Sequence, residues 1–185
     1  MDFELTIKII TVSLVIFFFI IRSRFTKHQK FSKSMLIKYF VAVPLLIIYM
    51  TSLIDFAIIK TSPFIRILVG LPIIFFGFSL FILAHYNLGK NWSTIVEGRL
   101  PKSKKLVKTG PYKYMRHPIY SAAFITIIGF GIFTANWILF LVPLVLFLIL
   151  YIIRMPKEEK ALVNHFGKEY SDYMKQTGRV FPKII

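Results

Sequence analysis

The chain has no cysteine, which excludes disulfides, thiolate metal sites and a cysteine nucleophile. Only eight Asp and Glu residues stand against 24 Lys and Arg. The four histidines and eight acids are scattered and offer no obvious metal cluster. No Gly-x-Gly-x-x-Gly element stands out, so a dinucleotide fold has no sequence support. What is abundant is apolar: 56% of the 185 residues are hydrophobic, including 20 Phe. These residues fall in long runs, and a bilayer can accommodate runs that a soluble core of this size cannot.

The pattern predicts an all-α, polytopic membrane protein with about five transmembrane helices. The expected spans are about 5–21, 35–59, 65–84, 119–133 and 137–153. The last two are short and joined through Thr134, Ala135 and Asn136, which predicts a tight helical hairpin. Asp2 and Glu4 precede the first run, the wrong flank for a cleavable signal, so it is read as a retained span. Pro44 and Pro72 are expected to kink their helices, and Asp55 to sit near a helix end.

A net charge of +16 invites a nucleic-acid reading, but the basic residues lie between hydrophobic spans. Of all Lys and Arg, only Lys8, Lys60 and Arg66 fall on one side of the predicted spans. The positive-inside rule then places the N-terminus outside and the C-terminus in the cytosol. An odd number of spans is required, and five supplies it. The expected division is residues 1–84 for the first three spans. Residues 85–185 are expected to form one integrated part of loop, hairpin and amphipathic C-terminal helix, where any catalytic chemistry would sit.

Two cytosolic segments carry more than a connector needs. A loop of about 35 residues is uncommon unless functional or disordered, and Trp92, Tyr112, Tyr114 and Tyr120 argue against disorder. Gly110-Pro111 marks a turn, and Pro118 forces His117 out of helical conformation before the fourth span. The Lys102, Lys104, Lys105 and Lys108 run suits anionic lipid. Asn91 and Trp92 are expected to shape the loop, and His28, His85 and His165 to be structural or exposed.

In the tail, Pro156 predicts a kink or fresh start. Leu162, Phe166, Tyr170 and Tyr173 form an apolar stripe at helical spacing. Glu158, four residues before Leu162, is expected to face the protein beside Arg154; Glu159 is rotated about 100° away and expected to face elsewhere. Gly178 and Pro182 should end the helix.

Several pieces then become recognisable together. Leu-Gly-Lys-Asn-Trp-Ser (88–93), Leu-Val-Lys-Thr-Gly-Pro-Tyr (106–112) and Arg-His-Pro-Ile-Tyr (116–120) come first. Arg-x-x-x-Glu-Glu (154–159) and His-Phe-Gly-Lys-Glu-Tyr (165–170) follow. The set closely resembles the isoprenylcysteine carboxyl methyltransferase family over about the C-terminal 100 residues, in order and spacing.

The resemblance implies an integral membrane methyltransferase whose loop and tail enclose S-adenosylmethionine. It maps cofactor contacts onto Lys104, Lys105, Leu106 and Val107, largely through backbone. Tyr112, His117, Pro118, Ile119, Tyr120 and Glu158 follow. An upstream contact falls at Glu97, where the family usually has an amide, and the substrate-handling arginine falls at Arg154. The implied acceptor is lipophilic, most simply a prenylated carboxylate reached from the bilayer and methylated to an ester. A phospholipid amine, an NADPH-dependent membrane reduction and a non-enzymatic assembly or transport role are the alternatives.

Overall fold

A computed structural model describes residues 3–26, 59–91 and 103–183. Among them are five α-helices and no named strand. They are α1 (Phe3–Thr26), α2 (Pro63–Leu88), α3 (Pro118–Thr134), α4 (Trp137–Phe166) and α5 (Lys168–Gln176). Short 3₁₀ turns cover Gly89–Asn91 and Gly110–Lys113. By length and composition α2 and α4 can each cross a membrane, and α3 is a shorter apolar helix. The expected second span, with Pro44 and Asp55, lies outside the described residues, as do His28, Trp92 and Glu97.

Apolar side chains cover much of the outside of these helices. Ile9, Phe17 and Ile20 on α1 are exposed, as are Phe64, Leu68, Phe75 and Phe76 on α2 and Val145, Ile152 and Ile153 on α4. In water such contiguous surface would be a liability; in hydrocarbon it is the solvated face.

The described residues form two compact units. One takes in α1, α2 through Phe78, and the hairpin from Ile125 to Leu146. Its core is Ile7, Val15, Ile74, Phe78, Phe130, Phe133 and Leu139. Phe18 stacks on Phe78 with centroids 5.6 Å apart, and Phe130 meets Phe78 edge-on at 6.3 Å. Backbones approach closely where residues are small: a Cβ on Gly70 would lie 2.8 Å from the Phe133 Cα. Membrane helices lack a hydrophobic drive toward each other and rely on such contact.

Arg66, read from sequence as an interhelical charge on the outer side, is 2% exposed. It opens a π-helical turn, Arg66–Gly70, inside α2. Its guanidinium binds both carboxylate oxygens of Glu4 and donates to the carbonyls of Phe133 (3.1 Å) and Thr134 (2.9 Å). Both carbonyls end α3, where helical partners run out. One side chain therefore caps α3 and ties it to α1 and α2.

The hairpin is as tight as its sequence predicts. Ala135 adopts φ 48°, and Asn136 Oδ1 accepts from the backbone amides of Ile138 (3.0 Å) and Leu139 (3.2 Å). Asn136 is thus the N-cap of α4. Asn136→Ala should cost about 1 kcal/mol, read as a lower thermal midpoint of the detergent-solubilised protein; an unchanged midpoint would show that the cap contributes nothing.

The second unit holds Ser79–Phe124 and Phe147–Ile185 as far as they are described. Of the kink or fresh start expected at Pro156, the fresh start does not occur: α4 runs unbroken to Phe166. Met155, Glu159 and Ala161 around that proline are all buried. Packing on both sides offsets the roughly 3 kcal/mol that a mid-helix proline costs. The break comes instead at Gly167, with φ 57°, a conformation that glycine adopts without Cβ strain. The stripe from Leu162 to Tyr173 is consequently divided between α4 and α5.

Candidate functional site

The site grows from the turn at Gly110-Pro111. Tyr112 N–H donates to the Thr109 carbonyl (3.1 Å), while Tyr114 and Met115 N–H donate to that of Pro111 (both 3.2 Å). The turn carries Tyr112 inward to 6% exposure. There its carbonyl accepts the Tyr173 hydroxyl at 2.6 Å. Burial, reinforced by the neighbouring Tyr173, pushes the Tyr112 phenol well above its ordinary range. Burial likewise pushes Tyr173 up to about 12. Both stay neutral at physiological pH and act as packing and hydrogen-bonding groups.

Residues 115–117 run beside the C-terminal strap, residues 177–183. Gly178 N–H donates to Tyr114 O (3.1 Å), Arg116 N–H to Gly178 O (2.9 Å) and His117 N–H to Arg179 O (2.9 Å). Pro118 then starts α3, where its missing N–H costs nothing. The His117 carbonyl accepts from the amides of Tyr120 (3.0 Å) and Ser121 (3.2 Å). The Ser121 hydroxyl also donates to Val180 O, and Phe181 meets Phe124 edge-on. This pairing pins the strap to the first turn of α3.

Tyr120 emerges half-buried, edge-on to His117 with centroids 5.8 Å apart. Its hydroxyl lies close enough to Glu158 and Arg154 for both to act on it electrostatically. Arg154 Nε donates to Glu158 Oε1 at 2.6 Å, one helical turn along α4. The two acidic neighbours face different partners. Glu158 faces Tyr120 and Arg154, as its spacing predicts. Glu159 does not face elsewhere, as expected from sequence, but is 5% exposed. Its Oε1 accepts from Arg116 Nε (3.0 Å) and its Oε2 from Arg179 Nη2 (2.6 Å). His117 Nε2 is buried 3.5 Å from Oε1, with no closer hydrogen-bond partner among the described residues.

The structure thus joins Tyr112, His117, Pro118, Tyr120, Arg154 and Glu158 in one unit, with Pro118 fully buried and Ile119 half-buried. Lys104, Lys105, Leu106 and Val107 lie in a stretch without regular secondary structure. It is tied to the end of α2 where Lys105 N–H donates to Asn91 Oδ1 (2.9 Å). Asn91 does shape the loop, and Asn87 helps by accepting from the Thr109 hydroxyl at 3.3 Å. His85, buried, contacts the Phe81 carbonyl through Nδ1 at 3.0 Å.

Sequence reasoning missed Glu159, Arg179, Tyr173 and Ser121. A signal for Glu159 existed: Leu139, Pro143 and Met155 are buried on α4 at multiples of four residues, and Glu159 is the next. The helix turns two faces inward, whereas the stripe from Leu162 reveals one.

An acid beside an aromatic face suits a ligand carrying an ammonium and a second cationic centre: the carboxylate pairs with the ammonium and the ring attracts the other cation. Glu158 and Tyr120 therefore fit the ammonium and sulfonium of S-adenosylmethionine by donor type, and Arg154 is left for a carboxylate on a second ligand.

A family model described as phospholipid methyltransferase matches residues 65–169. The nickel-cobalt-cadmium resistance protein NccN of Alcaligenes xylosoxydans xylosoxydans is 34% identical over 99 residues, 53% of this chain and 45% of that one. Protein-S-isoprenylcysteine O-methyltransferase of Rattus norvegicus is 31% identical over 115 residues, 62% of this chain and 40% of that one. Its Saccharomyces cerevisiae counterpart is 32% identical over 108 residues, covering 55% and 43%. The chain spans less than half of each of these relatives. A solved structure of a eukaryotic intramembrane Ras methyltransferase, isoprenylcysteine carboxyl methyltransferase, superposes with TM-score 0.66 at 24% identity. That likeness, over 88% of this chain and 60% of the other, establishes the fold. A family model matched over more than half of its length shows that the chain belongs to the phospholipid methyltransferase family.

Proposed function

We propose that this protein is an integral membrane methyltransferase that esterifies a lipophilic carboxylate, prenylated cysteine being the simplest acceptor, with S-adenosylmethionine as donor. The carrying observation is the contact of Tyr120, Arg154 and Glu158, three motif residues from two separate segments. When bound, the cofactor supplies a methyl group activated on a sulfonium. Glu158 holds its ammonium, Tyr120 offers an aromatic face to positive charge, and His117 and Tyr112 keep the turn in place. Glu97 and the backbone of 104–107 belong to the same reading as further contacts.

Arg154 directly follows Ile152 and Ile153, both exposed on the apolar face of α4. Its side chain, 35% exposed, is available to an acceptor carboxylate entering along that face. Such a carboxylate is already ionised near neutral pH, so no general base is needed. Alignment along the methyl-transfer axis is what the site must provide. The charge distribution supports five spans, an outer N-terminus and a cytosolic site.

The family model's description favours a second reading, transfer to a phospholipid amine. One experiment separates them. Calorimetry should show saturable S-adenosylhomocysteine binding to the detergent-solubilised protein. Labelled S-adenosylmethionine with an S-prenylated cysteine derivative should then yield a product that releases volatile methanol in base. Label that stays non-volatile through base treatment, on the headgroup amine of added phospholipid, would establish the amine reading, and absence of saturable binding would sink both.

A further inference from the structure

Glu159 is not among the residues that the motif comparison assigns to cofactor or acceptor, yet among the described residues it is the most connected acid in the second unit. Its two oxygens receive Arg116 from the turn before α3 and Arg179 from the C-terminal strap. Arg116 in turn donates through Nη1 to the carbonyls of Met174 (3.1 Å) and Thr177. Those carbonyls lie at the C-terminal end of α5, where helical partners are missing. One carboxylate thus links α4, the end of α5, the strap and residues 116–117.

The consequence falls on its neighbour. Glu158 and Tyr120 meet only if α4 and the first turn of α3 keep their spacing. Backbone pairing of residues 114–117 with 178–179 fixes that turn against the strap. The strap is in turn fixed to α4 by the Glu159–Arg179 pair. Two consecutive acids divide the work: Glu158 faces the site and Glu159 holds its frame.

We infer that Glu159 is a positioning residue which, through Arg116 and Arg179, clamps the C-terminal strap to the 116–120 turn and sets Tyr120 against Glu158 for the cofactor. This rests on the methyltransferase reading. Glu159 touches no ligand itself; it acts through the two arginines. Arg179 is 43% exposed, so losing its guanidinium should leave the fold standing.

The test compares Glu159→Gln, Arg179→Gln, the double variant and Arg179→Lys, all in the full-length solubilised protein. Calorimetry reads affinity for S-adenosylhomocysteine, and hydrogen exchange without ligand reads protection of the Gly178 amide. Arg179→Gln should weaken affinity about fivefold to tenfold and expose the Gly178 amide, with a thermal midpoint near that of the unaltered protein. Arg179→Lys should recover part of both. The double variant should be no weaker than Glu159→Gln, because both changes break one linkage. If the unaltered protein binds but the single variants bind as well as it does, or if their losses add, this inference falls alone. If the unaltered protein does not bind, the methyltransferase reading falls and takes this inference with it.

Discussion

Glu158→Gln should weaken S-adenosylhomocysteine binding by about tenfold to a hundredfold and reduce methyl transfer at least as much. A hydrogen bond to a charged group contributes about 1.5–3 kcal/mol, and each 1.4 kcal/mol is a factor of about ten. Glutamine preserves the shape of the side chain but removes the charge that would meet an ammonium. It also brings an amide donor toward Arg154 Nε, now bound to Glu158 Oε1 at 2.6 Å. Acceptor handling by Arg154 should therefore suffer together with cofactor affinity. A suitable control is Glu169→Gln, since Glu169 is exposed and pairs only with exposed Lys108 among the described contacts. Titration calorimetry decides the matter: equal affinity in Glu158→Gln and the unaltered protein would remove Glu158 from the site.

Arg116→Met should be the most damaging substitution to stability, at about 3–5 kcal/mol, the usual cost of stripping one partner from a buried ion pair. Arg116 is 8% and Glu159 7% exposed at the side chain. Without the guanidinium, Glu159 keeps Arg179 on one side only, and the Met174 and Thr177 carbonyls at the end of α5 lose a donor. Arg116→Lys should rescue only part, because an ammonium cannot reproduce the planar fork that serves carboxylate and carbonyls together. Thermal unfolding in detergent measures both. A methionine variant as stable as the original would mean that this cluster contributes no net stability.

How much of this was legible in the residues varies with the range of the interaction. Three apolar spans correspond to α2, α3 and α4 because hydropathy is a local property that the chain carries with it. The Thr134-Ala135-Asn136 hairpin was equally legible, since Asn136 caps the helix it begins. Gly178 and Pro182 correctly marked the end of helix in the tail. The direction of Glu158 followed from simple helical phase.

Other features depended on partners far along the chain. Pro156 signals a break locally, but buried neighbours on α4 carry the helix through it. Arg66 looks like an ordinary interhelical cation until Glu4, 62 residues away, and two carbonyls at the end of α3 are placed around it. Glu159 was misdirected because a second inward face of α4 exists only once the strap and the 116–117 turn pack there.

By itself, then, the order of apolar runs, turn residues and motif pieces determined that the chain is helical, holds helices apolar enough to cross a membrane and is related to methyltransferases. Which charged groups are buried, and which acid faces the site rather than its frame, was decided only by tertiary structure. Hydropathy and helical phase are written within a few turns of chain. A buried carboxylate is tolerable only where distant guanidiniums converge on it, and that convergence exists nowhere but in the fold.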